Sequence, residues 1–204
     1  MDDRTAVLIG GGPTAWTLRP SDIEQARAAR PDWWFVGING VAQRLPVDCG
    51  AAADLAPCIA MLDDPPASGW CMVPERCVQD WLMQGGRHDV PRHVLWPLRY
   101  HVGFAGPSVF LELLASGWRR FVFVGFDGSK DPRTRSGQAG ETWQYEDCEG
   151  RMIRAAGEAT PPVIDSVVVD PSTGPHPLEA IPARRWERGL VDLALFELKG
   201  TDSA

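Results

Sequence analysis

The chain has 204 residues, a formal net charge of −7, 44% hydrophobic and 23% charged residues. That length and balance suit one globular α/β domain with a core of its own and exclude a disordered chain. The acidic balance argues against tight non-specific nucleic-acid binding, which relies on Lys and Arg neutralising phosphates, although it leaves room for a local basic patch.

Thr5–Gly10 opens the chain as a continuous apolar run, the pattern of a strand buried on both faces. It runs into Gly10-Gly11-Gly12-Pro13-Thr14. Three glycines let backbone N–H groups approach a ligand with no side chain in the way, so the triplet predicts a phosphate-binding loop. A tight strand-to-helix turn without a ligand is the plain alternative. Ser21 then starts a helix, with Glu24 at capping-box spacing, and Pro31 ends it. Trp33–Ile38 is the second strand, finishing at Asn39-Gly40. Strand, helix and strand with a short crossover begin a Rossmann-like parallel sheet.

Ala51–Leu55 reads as one helical turn and Cys58–Leu62 as the third strand, ending at Asp63-Asp64. Trp70–Val73 is the fourth strand, and Glu75–Met83 a helix closed by Gly85-Gly86. His93–Trp96 is a short strand. Gly106-Pro107-Ser108 opens a strong helix with Gly117 near its end, and Arg120–Gly125 is the best strand, stopping at Phe126-Asp127-Gly128. Ser129–Gly140 reads as a polar loop and Glu141–Ala156 as a helix. Val163–Val169 is a late strand, Pro171–Pro177 a turn-rich loop and Ala183–Leu198 a C-terminal helix. With no repeat or linker, residues 1–204 form a single Rossmann-like nucleotide-binding domain. The expected architecture is α/β, three-layered, with a mostly parallel central sheet.

No apolar stretch approaches the ~18 residues that span a bilayer. Met1-Asp2-Asp3-Arg4 lacks the positive leader and cleavage site of a signal peptide. Five cysteines, odd in number and with no C-x-x-C, read as free thiols of a reducing compartment. A cytoplasmic protein without a membrane span is therefore expected.

Open parallel sheets bind ligands outside the C-terminal ends of their strands. On this reading Gly10, Gly11, Gly12 and Thr14 share a rim with Asn39, Asp63, Asp64, Asp127 and Gly128; Gly106 and Ser108 join it if the loop before them allows. Position 15 is Ala, and no acidic residue directly follows the second strand, so the site departs from dinucleotide loops. Asn39 suits a ribose or base, or a left-handed turn before Gly40. Asp63 and Asp64 suit a Mg²⁺ ion bridging phosphates, or a solvated loop. His88, His93, His101 and His176 have ordinary surface or capping roles as their plain reading. His101 and His176 are the two to consider as a general base.

Three stretches together resemble one superfamily. They are Ile-Gly-Gly-Gly-Pro-Thr at Ile9–Thr14, Gly-Ile-Asn-Gly at Gly37–Gly40, and Ala-Gly-Pro-Ser running through Ser-Gly-Trp to Gly-Phe-Asp-Gly at Ala105–Gly128. The superfamily is that of bacterial sialyltransferase-like, hydroxymethylpterin diphosphokinase-like and flagellin-glycosylation proteins. The order and spacing match over about residues 5–130. The resemblance implies that Gly11, Gly12, Pro13 and Thr14 approach nucleotide phosphates and that Asn39 meets the ribose or base. It places Gly106, Pro107 and Ser108 at a helix start near the donor, with Asp127 beside it. Thr14 stands in place of the usual Ser, and Ala105 removes a common hydroxyl. Paired phosphate-gripping tyrosines have no match among Tyr100 and Tyr145.

The first expectation is an enzyme, a nucleotide-sugar-dependent transferase of the glycosyltransferase kind. It would act on an acceptor hydroxyl of a glycan, a protein or a modified base in phage-like DNA. The second is Mg²⁺-dependent pyrophosphoryl transfer to a small alcohol, using Asp63, Asp64 or Asp127. The third is a non-catalytic nucleotide-binding subunit, with Trp16, Trp143 and Trp186 at an interface, which leaves a homo-oligomer open.

Overall fold

Every residue of the first apolar run is buried, and it forms strand β1, Thr5–Ile9. The computed structural model describes residues 4–86, 94–99, 105–126, 164–168 and 184–186. After β1 come α1 (Pro13–Thr17), α2 (Pro20–Ala29), β2 (Trp33–Ile38), α3 (Val41–Arg44) and β3 (Cys49–Ala51). Then follow α4 (Leu55–Asp63), β4 (Trp70–Val73), α5 (Glu75–Met83), β5 (Val94–Pro97) and α6 (Ala105–Ala115). The last described strands are β6 (Arg120–Val124), β7 (Ile164–Val168) and β8 (Arg184–Trp186).

The strands form one eight-stranded sheet in the order β5-β4-β3-β2-β1-β6-β7-β8. Every pairing in it is parallel. The α/β class and the Rossmann-like parallel sheet expected from the sequence are thus observed. Side chains alternate across the central strands and build a core on each face. Val7, Ile9, Phe35, Val122 and Val124 pack with Ala15, Ile23 and Val41 from α1, α2 and α3. Ala6, Leu8, Val36, Phe121 and Phe123 pack on the other face with Val109, Phe110 and Leu113 of α6. There the Phe110 ring meets Phe121 at 4.9 Å and Phe123 at 5.5 Å between centroids. Such edge-on or tilted aromatic pairs each add about 0.5–1.5 kcal/mol beyond the area they bury.

Four sequence expectations are corrected. Cys58–Leu62 is not a strand but part of α4. Its buried residues Cys58, Met61 and Leu62 recur at helical spacing, and Asp54 stands at the N-cap position, without a side-chain capping bond, before a first turn that contains Pro57. The third strand lies earlier, at β3, where a helical turn was expected from Ala51. A Cβ on Gly50 would come within 2.5 Å of Met61 Sδ, so α4 packs closely over β3. The second helix is capped two residues earlier than Ser21–Glu24. Pro20 takes its first position, and the Asp22 carboxylate accepts the Arg19 N–H at 2.8 Å. Residues Arg184–Trp186 are a strand, not the start of a helix; the rest of the expected C-terminal helix lies outside the described residues, as do the 129–140 loop, the 141–156 helix and the 171–177 turn.

The helix ends follow their glycines. Gly86 N–H donates to Trp81 O at 2.9 Å and closes α5. Gly117, at φ +96, closes α6, with Trp118 N–H donating to Leu113 O at 3.1 Å. A Cβ on Gly117 would meet nothing within 4 Å, so only the backbone angle opposes a side chain there. Gly117→Ala should therefore cost about 1 kcal/mol, read as a small fall in thermal unfolding temperature. Cys49, Cys58, Cys71 and Cys77 are buried free thiols. Burial pushes the thiols of Cys49 and Cys58 far up, and that of Cys71 to about 11. No helix among the described residues is long and apolar enough to cross a membrane.

Candidate functional site

β1 has β2 on one side and β6 on the other, and the chain reaches β6 only after building β2 through β5 outward. The sheet order therefore reverses between β1 and β6. Helices α1, α2 and α3 cover one face there and α6 the other. α1 leaves β1 on one face and α6 enters β6 from the other, and the crevice at the C-terminal ends of two such strands is where open α/β sheets take ligands.

The crevice is built from glycine contacts. Ile9 pairs with Val124 and with Gly37. Gly11, Phe126 and Asn39 each stand two residues further on, and so form a row along the rim. Gly10 N–H donates to Val124 O and Gly12 N–H to Gly125 O, both at 2.8 Å. Two of the three triplet amides thus fasten β1 to β6, which narrows the expected cradle. The Gly11 N–H has no hydrogen-bond partner among the described residues, and Gly11 is exposed.

The three central glycines have different reasons to lack a side chain. A Cβ on Gly10 would lie 2.7 Å from Gly125 O and 3.2 Å from the Phe126 ring. One on Gly106 would lie 2.6 Å from Phe126 Cε1. Close packing accounts for both. A Cβ on Gly11 would meet nothing within 4 Å, and its φ is not in the left-handed region. Nothing in the described fold requires glycine at position 11.

The loop is braced from behind. Trp16 Nε1 donates to Gly11 O at 3.0 Å, and the Arg44 guanidinium lies 5.0 Å from the centre of the Trp16 ring. Arg44 also donates to Leu18 O and Ala15 O, the carbonyls around the end of α1. Burial lowers its pKa from the ordinary arginine value. On the far side, Glu112 of α6 is fully buried and accepts bonds from the Arg99 N–H at 2.9 Å and Arg99 Nε at 3.0 Å. That clamp ties the chain just after β5 to the body of α6. Phe126, Trp16, Arg44 and the Glu112–Arg99 pair were not singled out from sequence as parts of this site. Their signal lies in three-dimensional packing, not in spacing.

The remaining sequence candidates divide. Asn39 has φ +55; its N–H donates to Ala51 O, and its carbonyl accepts from Ala42 N–H, so it makes the left-handed turn into α3. Its Oδ1 is enclosed without a hydrogen-bond partner among the described residues. Gly106 reaches the rim beside Phe126, but Ser108 is fully buried. Asp63 and Asp64 are not at a strand tip. They end α4, which runs back from the C-terminal end of β3 towards the start of β4, at the opposite edge of the sheet. The Asp63 carboxylate accepts from Trp81 Nε1 at 2.8 Å. The expected Mg²⁺ pair does not fit the rim, and no group of three His, Cys, Asp or Glu among the described residues is placed to hold a metal. Pro13 and Thr14 lie in α1. His101, His176, Asp127 and Gly128 lie outside the described residues.

No protein-family model, curated protein or solved structure matches the chain.

Proposed function

We propose that the protein binds a nucleotide-sugar at the β1–β6 crevice and transfers the sugar to an acceptor hydroxyl. The observation that carries this reading is Gly11. It is an exposed glycine with an unengaged amide at the point where the sheet order reverses, and the packing gives no reason for its missing side chain. A ligand that needs the space and the N–H supplies that reason, and a phosphate oxygen suits both. The same amide would stabilise charge on a departing nucleotide phosphate. The sequence likeness to sialyltransferase-like proteins supplies the donor class. Deprotonating the acceptor would fall to a base, with His101 and His176 as the sequence candidates.

A thermal-shift panel tests the reading. It comprises cytidine monophosphate, uridine and guanosine diphosphates, their sugar conjugates, and ATP with and without Mg²⁺. A nucleotide at about 100-fold over its dissociation constant adds about 2.7 kcal/mol of stability, a rise of several degrees in a chain of this size. Gly11→Asp should keep the unliganded unfolding temperature, because its side chain enters open space, and should lose the shift. Wild-type shifts in the mutant would show that the site lies elsewhere. Sugar transfer by the wild type, followed by release of free nucleotide, separates an enzyme from a binding subunit. A demand for ATP and Mg²⁺ would favour pyrophosphoryl transfer instead.

A further inference from the structure

Phe126 has a place in the crevice that its role in the core does not account for. It is the first described residue past the end of β6 that is only half-buried, after Phe121–Val124 and Gly125, which are all buried. One edge of its ring, Cδ2 and Cε2, lies against Gly10; the other, Cδ1, Cε1 and Cζ, lies against Gly106. The Phe123 ring meets it at right angles from below, at 5.0 Å between centroids. The ring is therefore held at both edges and by Phe123, while Phe126 as a whole is only half-buried. Two glycines on separate elements leave the room for it.

A ring wedged in this way is fixed before any ligand arrives, and a preorganised aromatic surface loses little entropy on binding. The Gly10 amide is already engaged by Val124 O. The anion is left to Gly11, one residue away. Resting on the nucleotide-binding reading above, we infer that Phe126 is the stacking platform of the site. The flat, weakly polar ring group carried next to the phosphate lies on its exposed face. That group has a C–H or π face in either case, whether it is a nucleobase or a pyranose. Phe126 thus makes the site prefer phosphates that bear a ring over bare phosphates.

The test compares ringed with ringless ligands. Cytidine monophosphate, uridine and guanosine diphosphates, their sugar conjugates and inorganic pyrophosphate are titrated into wild type, Phe126→Leu and Phe126→Tyr. Leu keeps an apolar filler between Gly10 and Gly106 but removes the aromatic face; Tyr keeps the face. The Leu variant should bind ringed ligands about tenfold more weakly and pyrophosphate as wild type does, and Tyr should restore binding. Equal losses for a nucleotide and its sugar conjugate place the base on the ring; a loss confined to the conjugate places the sugar there. Equal losses for pyrophosphate and the ringed ligands, or no loss for any ligand of the panel, overturn the platform. A wild type that binds no nucleotide defeats the functional reading itself, which these variants do not probe.

Discussion

Gly125→Ala should be among the most damaging single-methyl additions in the described chain, lowering stability by about 2–5 kcal/mol. Two costs combine. Gly125 has φ +69, and holding an alanine there costs about 1–2 kcal/mol. Its Cβ would also fall 2.6 Å from Ala15 Cβ, 3.1 Å from Gly10 O and 3.2 Å from Ala15 N. Relief of that overlap means moving α1 away from β6, and overpacking of this kind costs a further 1–3 kcal/mol or so. Gly12 N–H donates to Gly125 O, so the same movement loosens the loop that presents Gly11. Urea denaturation should show an earlier midpoint for Gly125→Ala. Gly10→Ala should follow it, because its Cβ meets the Gly125 carbonyl and not a flexible side chain. Gly11→Ala should leave the midpoint within about 0.5 kcal/mol of wild type. Equal effects at positions 10, 11 and 125 would contradict the division between structural and ligand-facing glycines.

That division also marks how far the sequence could be read. The sheet was legible because its central strands carry their own signal. Ala6–Ile9, Trp33–Ile38 and Phe121–Val124 are apolar without a break, and strands buried on both faces have that composition. The place of the rim followed, since Gly10–Gly12 and Asn39 directly succeed the first two of those strands. What failed was local ambiguity. Cys58–Leu62 is as apolar as a strand, and periodicity is hard to judge over five residues. Asp54 and Pro57 ahead of it were the deciding marks, and they belong to a helix start. Moving that segment from strand to helix carried Asp63 and Asp64 to the opposite edge and removed the metal pair. Cys49-Gly50-Ala51 has little strand propensity; it is a strand because β2 and β4 flank it and Met61 closes over Gly50. The roles of Gly10 and Gly106 were hidden for another reason. Both depend on one ring, Phe126, and no spacing rule connects positions 10, 106 and 126.

The other large effect is expected at Arg99. Glu112 is 0% exposed, whereas the Arg99 side chain is 62% exposed, so the pair is asymmetric. Removing Arg99 leaves a buried carboxylate with fewer partners; removing the Glu112 charge leaves an arginine that water can solvate. Arg99→Ala should therefore cost about 2–3 kcal/mol, and Glu112→Gln less, because its amide oxygen still accepts the Arg99 N–H. In the double variant, the added cost of Arg99→Ala should largely vanish. The pH dependence identifies the charge as the cause. Burial disfavours the Glu112 carboxylate, but the hydrogen bonds and charge of Arg99 more than offset this and hold its pKa below the ordinary glutamate value. A carboxyl with a depressed folded pKa contributes stability that is present above its unfolded pKa and is lost as pH falls through the folded one. In Arg99→Ala the guanidinium's hydrogen bonds and charge are lost while the backbone N–H bond remains, so the folded pKa rises from its wild-type position and less stability is gained as pH rises towards neutrality. The stability gap between wild type and Arg99→Ala should thus be widest near pH 7 and shrink once pH drops below the range where glutamate ionises. Urea titrations from pH 7 to pH 4 measure it directly. A gap that stays constant across that range would mean that Arg99 holds α6 to the end of β5 by packing of its stem, with the buried charge of Glu112 playing no part.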